Sequence, residues 1–147
     1  MNKYDSLTLK NQLCFPIYLC SKEIIRRYTP LLDDLDLTYT QYITMMYIWE
    51  HNTSNVKDIS DALFLDSGTL TPLLKKLEAK EYITRTRSLK DERNLDVTIT
   101  KKGLALRDKA LSVPCEMGKC INLSEDEVKT LYSLMYKIVG NLSKEEE

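Results

Sequence analysis

The 147-residue chain contains no apolar run near the roughly 18 residues a membrane helix needs. It also lacks the basic segment followed by an apolar stretch that marks a secretory leader. The expected location is therefore cytoplasmic, with no membrane partner. Histidine is nearly absent: His51 stands alone, remote from all four cysteines. Cys14 and Cys20 lie six apart and Cys115 and Cys120 five apart, whereas zinc sites favour closer pairs, so no metal or cofactor is expected. In a cytosolic chain four cysteines are not expected to form a structural disulfide framework. Redox chemistry and inert buried thiols both remain open for them. Neither an internal repeat nor a second domain is expected.

The composition is that of a globular protein, 43% hydrophobic and 29% charged. A net charge of −1 gives no overall attraction to nucleic acid, but it averages over a segregation. Between Ser67 and Arg107 there are ten Lys and Arg against five Asp and Glu, while the rest carries eleven against seventeen. A basic middle within an acidic frame supplies a local field for phosphates.

That basic middle has an ordered pattern. DSGTLTPLLKKLE, from Asp66 to Glu78, places Leu70, Leu73, Leu74 and Leu77 on one helical face and leaves Ser67, Thr69, Thr71, Lys75 and Lys76 outside. A helix at 56–63, capped by Asn55 and with Ile59, Ala62 and Leu63 inward, precedes it across a tight turn, and the pair makes a helix-turn-helix. Segments 82–86 and 95–100 alternate as paired strands do. Between them, 87–94 is a long charged tip, which suits a wing. Hydroxyls can bond base edges or phosphates and cations neutralise phosphate charge, so these are the expected double-stranded DNA contacts. Arg93 is expected to reach the minor groove or phosphates from the wing, with Asp91 orienting it.

Four further helical stretches flank or complete this unit. Leu13, Ile17, Cys20, Ile24 and Tyr28 share a face of a helix expected over 7–28, with Pro16 kinking it and a turn following at 30–36. Thr38 and Gln41 form a capping box for a helix reaching about Glu50, with Tyr42, Ile43, Met46 and Trp49 inward. A helix from Lys101 is expected to stop at Pro114. Ser124 and Glu127 cap a last helix, in which Val128, Leu131, Met135, Ile138 and Leu142 form an apolar stripe. The expected fold class is mainly α (α+β), one domain over 1–147. Its winged helix-turn-helix covers about 37–100, with dimerisation helices at about 5–30 and 101–147. Packing the flanking helices on a second copy buries the stripe and sets two recognition helices against a palindromic operator. Packing them within one chain is the alternative.

These residues resemble the MarR family of bacterial transcriptional regulators, and most closely its thiol-based peroxide-sensing branch, OhrR with the related SarZ and AbfR. The resemblance rests on Leu13-Cys14-Phe15 with Tyr18, Tyr28 with Pro30-Leu31-Leu32, Leu37-Thr38-Tyr39 with Gln41, the Asp66–Glu78 run, and Asp91 with Arg93. It covers essentially the whole chain. It implies a homodimeric repressor, not an enzyme, in which Cys14 reacts with a peroxide oxidant. Tyr28 and Tyr39 are then hydrogen-bonding partners of its sulfur, with Tyr18 nearby. Some members of the branch resolve the oxidised thiol with a second cysteine near the last linker of the opposite subunit, which makes Cys120 or Cys115 the resolving thiol here. Pro16 and Cys20 depart from the usual pattern, and Cys20 is expected to be a packed core residue. A regulator released by a small aromatic ligand, a thiol peroxidase-like enzyme and a protein-binding winged helix are the other readings. The peroxidase would need a catalytic base or Arg beside Cys14, and no such motif is visible.

Overall fold

The computed structural model describes residues 2–144. Two compact units divide the chain, Met1–Val113 and Pro114–Glu147. No helix among the described residues is long and apolar enough to cross a membrane. The last residues of the expected 101–147 flanking segment, 145–147, lie outside the described residues.

In the first unit, two short 3-10 turns (Asp5–Leu7 and Leu9–Asn11) precede α1, Cys14–Asp33. The helix starts later and ends later than its apolar spacing suggests. Pro16 is the third residue of α1, where the backbone N–H it lacks would have no intrahelical partner, so it sits in the first turn and not at a kink. Pro30 lies inside α1 where a turn was expected. The lost hydrogen bond is offset by burial just beyond it, of Leu32 at 1% exposure and of Leu35. Cys20, expected in the core, is exposed.

Thr38 and Gln41 form the anticipated capping box of α2, Tyr39–His51: the Gln41 N–H donates to Thr38 Oγ1 at 3.3 Å and the Thr38 N–H to Gln41 Oε1 at 3.1 Å. Its buried face is Tyr42, Met45, Ile48 and Trp49; Met46 points out and Ile43 is half-buried, so the stripe is rotated by about one residue. A three-residue strand, β1 (Thr53–Asn55), comes next and has no counterpart in the sequence reading.

Asn55 caps α3, Val56–Leu63, by accepting from the Asp58 N–H at 2.8 Å. Ile59 is its buried anchor, while Ala62 is exposed. Phe64 then turns the chain in the left-handed region, φ 53°, an unusual conformation for an aromatic residue. Asp66 caps α4, Ser67–Ala79, by accepting from the Thr69 N–H at 2.7 Å. Leu70, Leu73, Leu74 and Leu77 are buried as the spacing requires.

The hairpin is β2 (Ile83–Arg87) and β3 (Leu95–Ile99), antiparallel with Ile83 opposite Ile99 and Arg87 opposite Leu95. β1 adds to the other edge of β3, giving the order β1-β3-β2. Thr100 caps α5, Lys101–Ala110. Gly103 lies so close to the residue before β2 that an added Cβ would fall 2.2 Å from the Tyr82 carbonyl oxygen, and its own carbonyl accepts from Trp49 Nε1 at 2.9 Å. That contact ties α5 to α2.

Pro114, expected to stop a helix, is the second residue of a new one, α6, Val113–Ile121. Proline is tolerated there for the reason that applies to Pro16. In the second unit, Ser124 and Glu127 form the expected reciprocal cap of α7, Glu125–Ser143. No α7 residue is buried: Val128, Leu131 and Ile138 are 46%, 42% and 37% exposed.

Candidate nucleic-acid interface and thiol site

Two sets of contacts tether the C-terminal end of α4. Glu78 near its C-terminal end accepts from Arg85 Nε and an Arg85 guanidinium nitrogen at 3.0 and 2.8 Å, and from the Arg85 backbone N–H at 3.1 Å. The Arg85 hydrogen bonds hold the Glu78 carboxyl below its usual range. Lys80, just past the helix, donates to the Asp36 carbonyl oxygen, pairs with the Asp36 carboxylate at 3.2 Å, and lies 3.5 Å from Gln41 Oε1. The helix is thus tethered to β2 on one side and to the start of α2 on the other. Its outer face (Ser67, Thr69, Thr71, Lys75 and Lys76) is exposed throughout.

The wing between β2 and β3 is an ordered turn. Ser88 is buried; its N–H donates to the Asn94 carbonyl at 2.9 Å and its Oγ accepts from the Lys90 N–H at 3.2 Å. Asp91 Oδ1 accepts from the Arg93 backbone N–H at 3.0 Å, so it shapes the turn that presents Arg93 without pairing with the guanidinium. Arg93 and Ser67 line one cleft of about 300 Å³, together with Val56, Lys57, Ser60 and Leu95. The wing arginine therefore neighbours the first turn of α4, although the two are 26 positions apart in sequence.

The thiol residues are distributed differently. Cys14 is the first residue of α1 and is exposed; Tyr18, one turn on, is also exposed. Tyr28 packs on Tyr39, ring centroids 4.8 Å apart, and on Tyr42 at 5.8 Å. Burial pushes the Tyr28 and Tyr39 phenols above their ordinary value, with the neighbouring Tyr39 adding to the effect on Tyr28. Both stay protonated donors well into alkaline solution. Because α1 is continuous, fourteen residues separate Cys14 from Tyr28 by about 21 Å along the axis. One chain brings the two tyrosines together and keeps Cys14 away from them.

Cys115 and Cys120 are both exposed on α6. Five positions apart, they differ in direction by about 140° around the helix, so one partner thiol cannot meet both in the same pose. Lys119 pairs with Glu116 at 2.7 Å, which raises its ammonium, with a smaller contribution from Cys115. The reading of residues alone missed the Glu78–Arg85 clamp and the Lys80 tether. An acid and a base seven positions apart carry no periodic signal until α4 and β2 are folded together.

Comparison with known proteins agrees with this architecture. The family model described as "Transcriptional regulator SarA/Rot" matches residues 26–109. The organic hydroperoxide resistance transcriptional regulator of Bacillus subtilis is 43% identical over 141 residues, 96% of each chain. The HTH-type transcriptional regulator SarZ of Staphylococcus aureus is 46% identical over 132 residues, 90% of this chain and 89% of the relative. Reduced AbfR bound to DNA superposes with a TM-score of 0.79 at 31% identity, covering 96% of this chain and 99% of that one. AbfR has also been solved overoxidised on DNA and in a disulfide form. These relatives are regulators, not enzymes, and the chain belongs to the MarR-type winged-helix transcriptional regulators, in the branch that holds the organic hydroperoxide resistance regulator, SarZ and AbfR.

Proposed function

We propose that the protein is a cytoplasmic, homodimeric DNA-binding repressor that loses operator affinity when an organic peroxide oxidises Cys14. The winged unit, about 37–100, contacts a palindromic duplex, and the segments at about 5–30 and 101–147 pair two copies. Ser67, Thr69, Thr71, Lys75 and Lys76 face the major groove. Arg93 serves the minor groove or phosphates, with Asp91 shaping its turn.

One observation carries the redox part: Cys14 lies exposed at one end of α1 and the Tyr28–Tyr39 pair near the other. Two copies of α1 packed antiparallel would bring each Cys14 to the other chain's phenols, beside the partner's Tyr28 and Tyr39, with Tyr18 from its own helix. The Cys14 thiolate attacks the distal peroxide oxygen; the O–O bond breaks, an alkoxide leaves and takes up a proton as alcohol, and Cys14 becomes a sulfenic acid. A thiolate at Cys120 or Cys115 of the other copy can then attack the Cys14 sulfur, expelling hydroxide, which leaves as water, and forming an intersubunit disulfide. The peroxide-resistance name of the 43% identical relative and the reduced, overoxidised and disulfide forms of AbfR support this chemistry.

The DNA part is tested by duplex binding of the reduced protein across a salt series. Affinity should fall steeply, with a log–log slope of about −0.9 per neutralised phosphate. Arg93→Ala should weaken binding to all sequences, and Thr69→Ala or Thr71→Ala should change preference among them. Salt-independent affinity would contradict the reading. On non-reducing gels the oxidised protein should run as a linked dimer that Cys120→Ser abolishes and Cys115→Ser retains; the reverse pattern assigns the resolving role to Cys115.

A further inference from the structure

The cations of the basic middle are deployed in two ways. Lys75, Lys76, Arg87, Lys90 and Arg93 are exposed, and none is ion-paired among the described residues. The Lys80 side chain is only 27% exposed, and its ammonium faces three oxygens. It donates to the Asp36 carbonyl oxygen, lies 3.2 Å from the Asp36 carboxylate, and lies 3.5 Å from Gln41 Oε1. An ammonium has three N–H donors and no acceptor, so these three oxygens match its whole capacity. Lys80 has the charge of a phosphate ligand and the surroundings of a structural tie.

Both of its partners are held independently. Gln41 is buried, and its Oε1 also accepts from the Thr38 N–H at 3.1 Å, so it cannot turn away without opening the α2 cap. Asp36 lies in the left-handed region, φ 52°, between α1 and α2, and its N–H donates to the Asp33 carbonyl at 3.0 Å. Lys80 therefore ties the exit of α4 to the α1–α2 corner, while Glu78 ties it to β2 through Arg85. Ser67 begins the helix thirteen residues before Lys80, about 20 Å away along the axis. A swivel of about 5° at the Lys80 end would displace that first turn by ~1.7 Å, enough to break hydrogen bonds to base edges. Flexible lysine stems can follow phosphates through such a shift.

We infer that Lys80 is a positioning residue for operator recognition: held by Asp36 and Gln41, it sets the angle at which α4 meets the duplex and touches no phosphate itself. The inference rests on the DNA-binding reading above and deepens it. Ser67, Thr69 and Thr71 discriminate among sequences only while α4 keeps this angle. Asp36, an acidic residue outside the recognition helix, thereby favours specific binding although its charge repels DNA. Contacts to phosphates supply the sequence-independent share of affinity, which does not depend on the tie.

The test uses the reduced full-length protein, a duplex selected by it from a random-sequence library, and a scrambled duplex of the same composition. Lys80→Met keeps the aliphatic stem and removes the donors. Asp36→Asn removes the carboxylate charge, and asparagine tolerates the left-handed backbone. Each variant should bind the selected duplex about tenfold more weakly and the scrambled duplex within about twofold of wild type. The log–log salt slope should not change, and the double variant should be no weaker than the worse single one. A charge effect alone would move the two variants in opposite directions. Thus Lys80→Met flattening the slope by about 1 while Asp36→Asn binds more tightly would make Lys80 a phosphate ligand and overturn the inference. Equal losses on both duplexes would indicate general damage to the fold, and unchanged affinity for the selected duplex would remove any role; either overturns it while the DNA-binding reading stands. If Lys80→Met lowers the unfolding midpoint, Asp36→Asn carries the test by itself. If wild type selects no duplex, the DNA-binding reading fails and this inference with it.

Discussion

Tyr28 of α1 and Tyr39 of α2 pack with ring centroids 4.8 Å apart and planes tilted by 48°, about 21 Å along α1 from the only thiol at that helix's start. Tyr39 lies between the two residues of the Thr38–Gln41 cap, and Gln41 lies within reach of Lys80 at the end of α4. Contacts thus run from the tyrosine pair through the start of α2 to the end of α4.

If the paired phenols donate to the Cys14 sulfur of a second copy, Tyr28→Phe and Tyr39→Phe should each slow oxidation of Cys14 by organic peroxide. DNA binding by the reduced protein should not change, because each substitution removes one donor and leaves the ring packing. Stopped-flow or mass-spectrometric oxidation rates check this; unchanged rates in both variants would remove the tyrosines from the site.

Gly103 should tolerate no side chain. A Cβ there would meet the Tyr82 carbonyl at 2.2 Å and the Ile99 side chain at 2.7 Å, so α5 must move away from the hairpin and strain the Trp49–Gly103 hydrogen bond. Gly103→Ala should lower stability by about 1–3 kcal/mol despite alanine's better helix propensity. Urea denaturation with Trp49 fluorescence measures it, and a stabilised variant would contradict the packing described.

The Glu78–Arg85 clamp predicts an acid-dependent effect. The Glu78 carboxyl is held below its ordinary value of 4.5, chiefly by the Arg85 hydrogen bonds. A depressed folded-state value gives stability that is present above 4.5 and is lost as pH falls through the lower folded value. Glu78→Gln cannot ionise, so it should melt below wild type at neutral pH and approach it in acid. A melting difference that stays constant from neutral to acid pH would show that the clamp contributes no charge interaction.

Much of this architecture is legible in the sequence where a polar cap precedes a periodic apolar face. Thr38 with Gln41, Asn55, and Ser124 with Glu127 mark helix starts that the structure repeats, and the four leucines of α4 are the four it buries. The proline-bearing segments are misread. Pro16 and Pro114 occupy first turns, and Pro30 is carried inside α1 by the burial of Leu32 and Leu35. β1 escapes because three residues show no alternation and exist as a strand only by pairing with β3. For the site, the exposed face of α4 and the Cys14–Tyr18 spacing can be read from residues. The Tyr28–Tyr39 stack, the Lys80 tether and the Ser88 hydrogen bonds within the wing require the fold.

The apolar stripe of α7 bears on assembly. Val128, Leu131 and Ile138 are partly exposed, and Met135 is half-buried, in a helix with no buried residue. If a second copy covers them, Met135→Glu or Ile138→Glu should yield monomers that bind a palindrome weakly, since an unpaired buried carboxylate costs several kcal/mol, roughly the stability of a domain. Sedimentation checks the assembly, and variants that remain dimeric would place the interface elsewhere.

The most direct test of the central claim is DNA affinity before and after one equivalent of organic peroxide, measured in parallel for wild type and Cys14→Ser. Wild type should lose affinity on oxidation and regain it with dithiothreitol, while Cys14→Ser should bind as the reduced protein does and stay bound, because serine cannot form a sulfenic acid. A Cys14→Ser protein that still leaves DNA when treated with peroxide would contradict the account and move sensing away from this thiol.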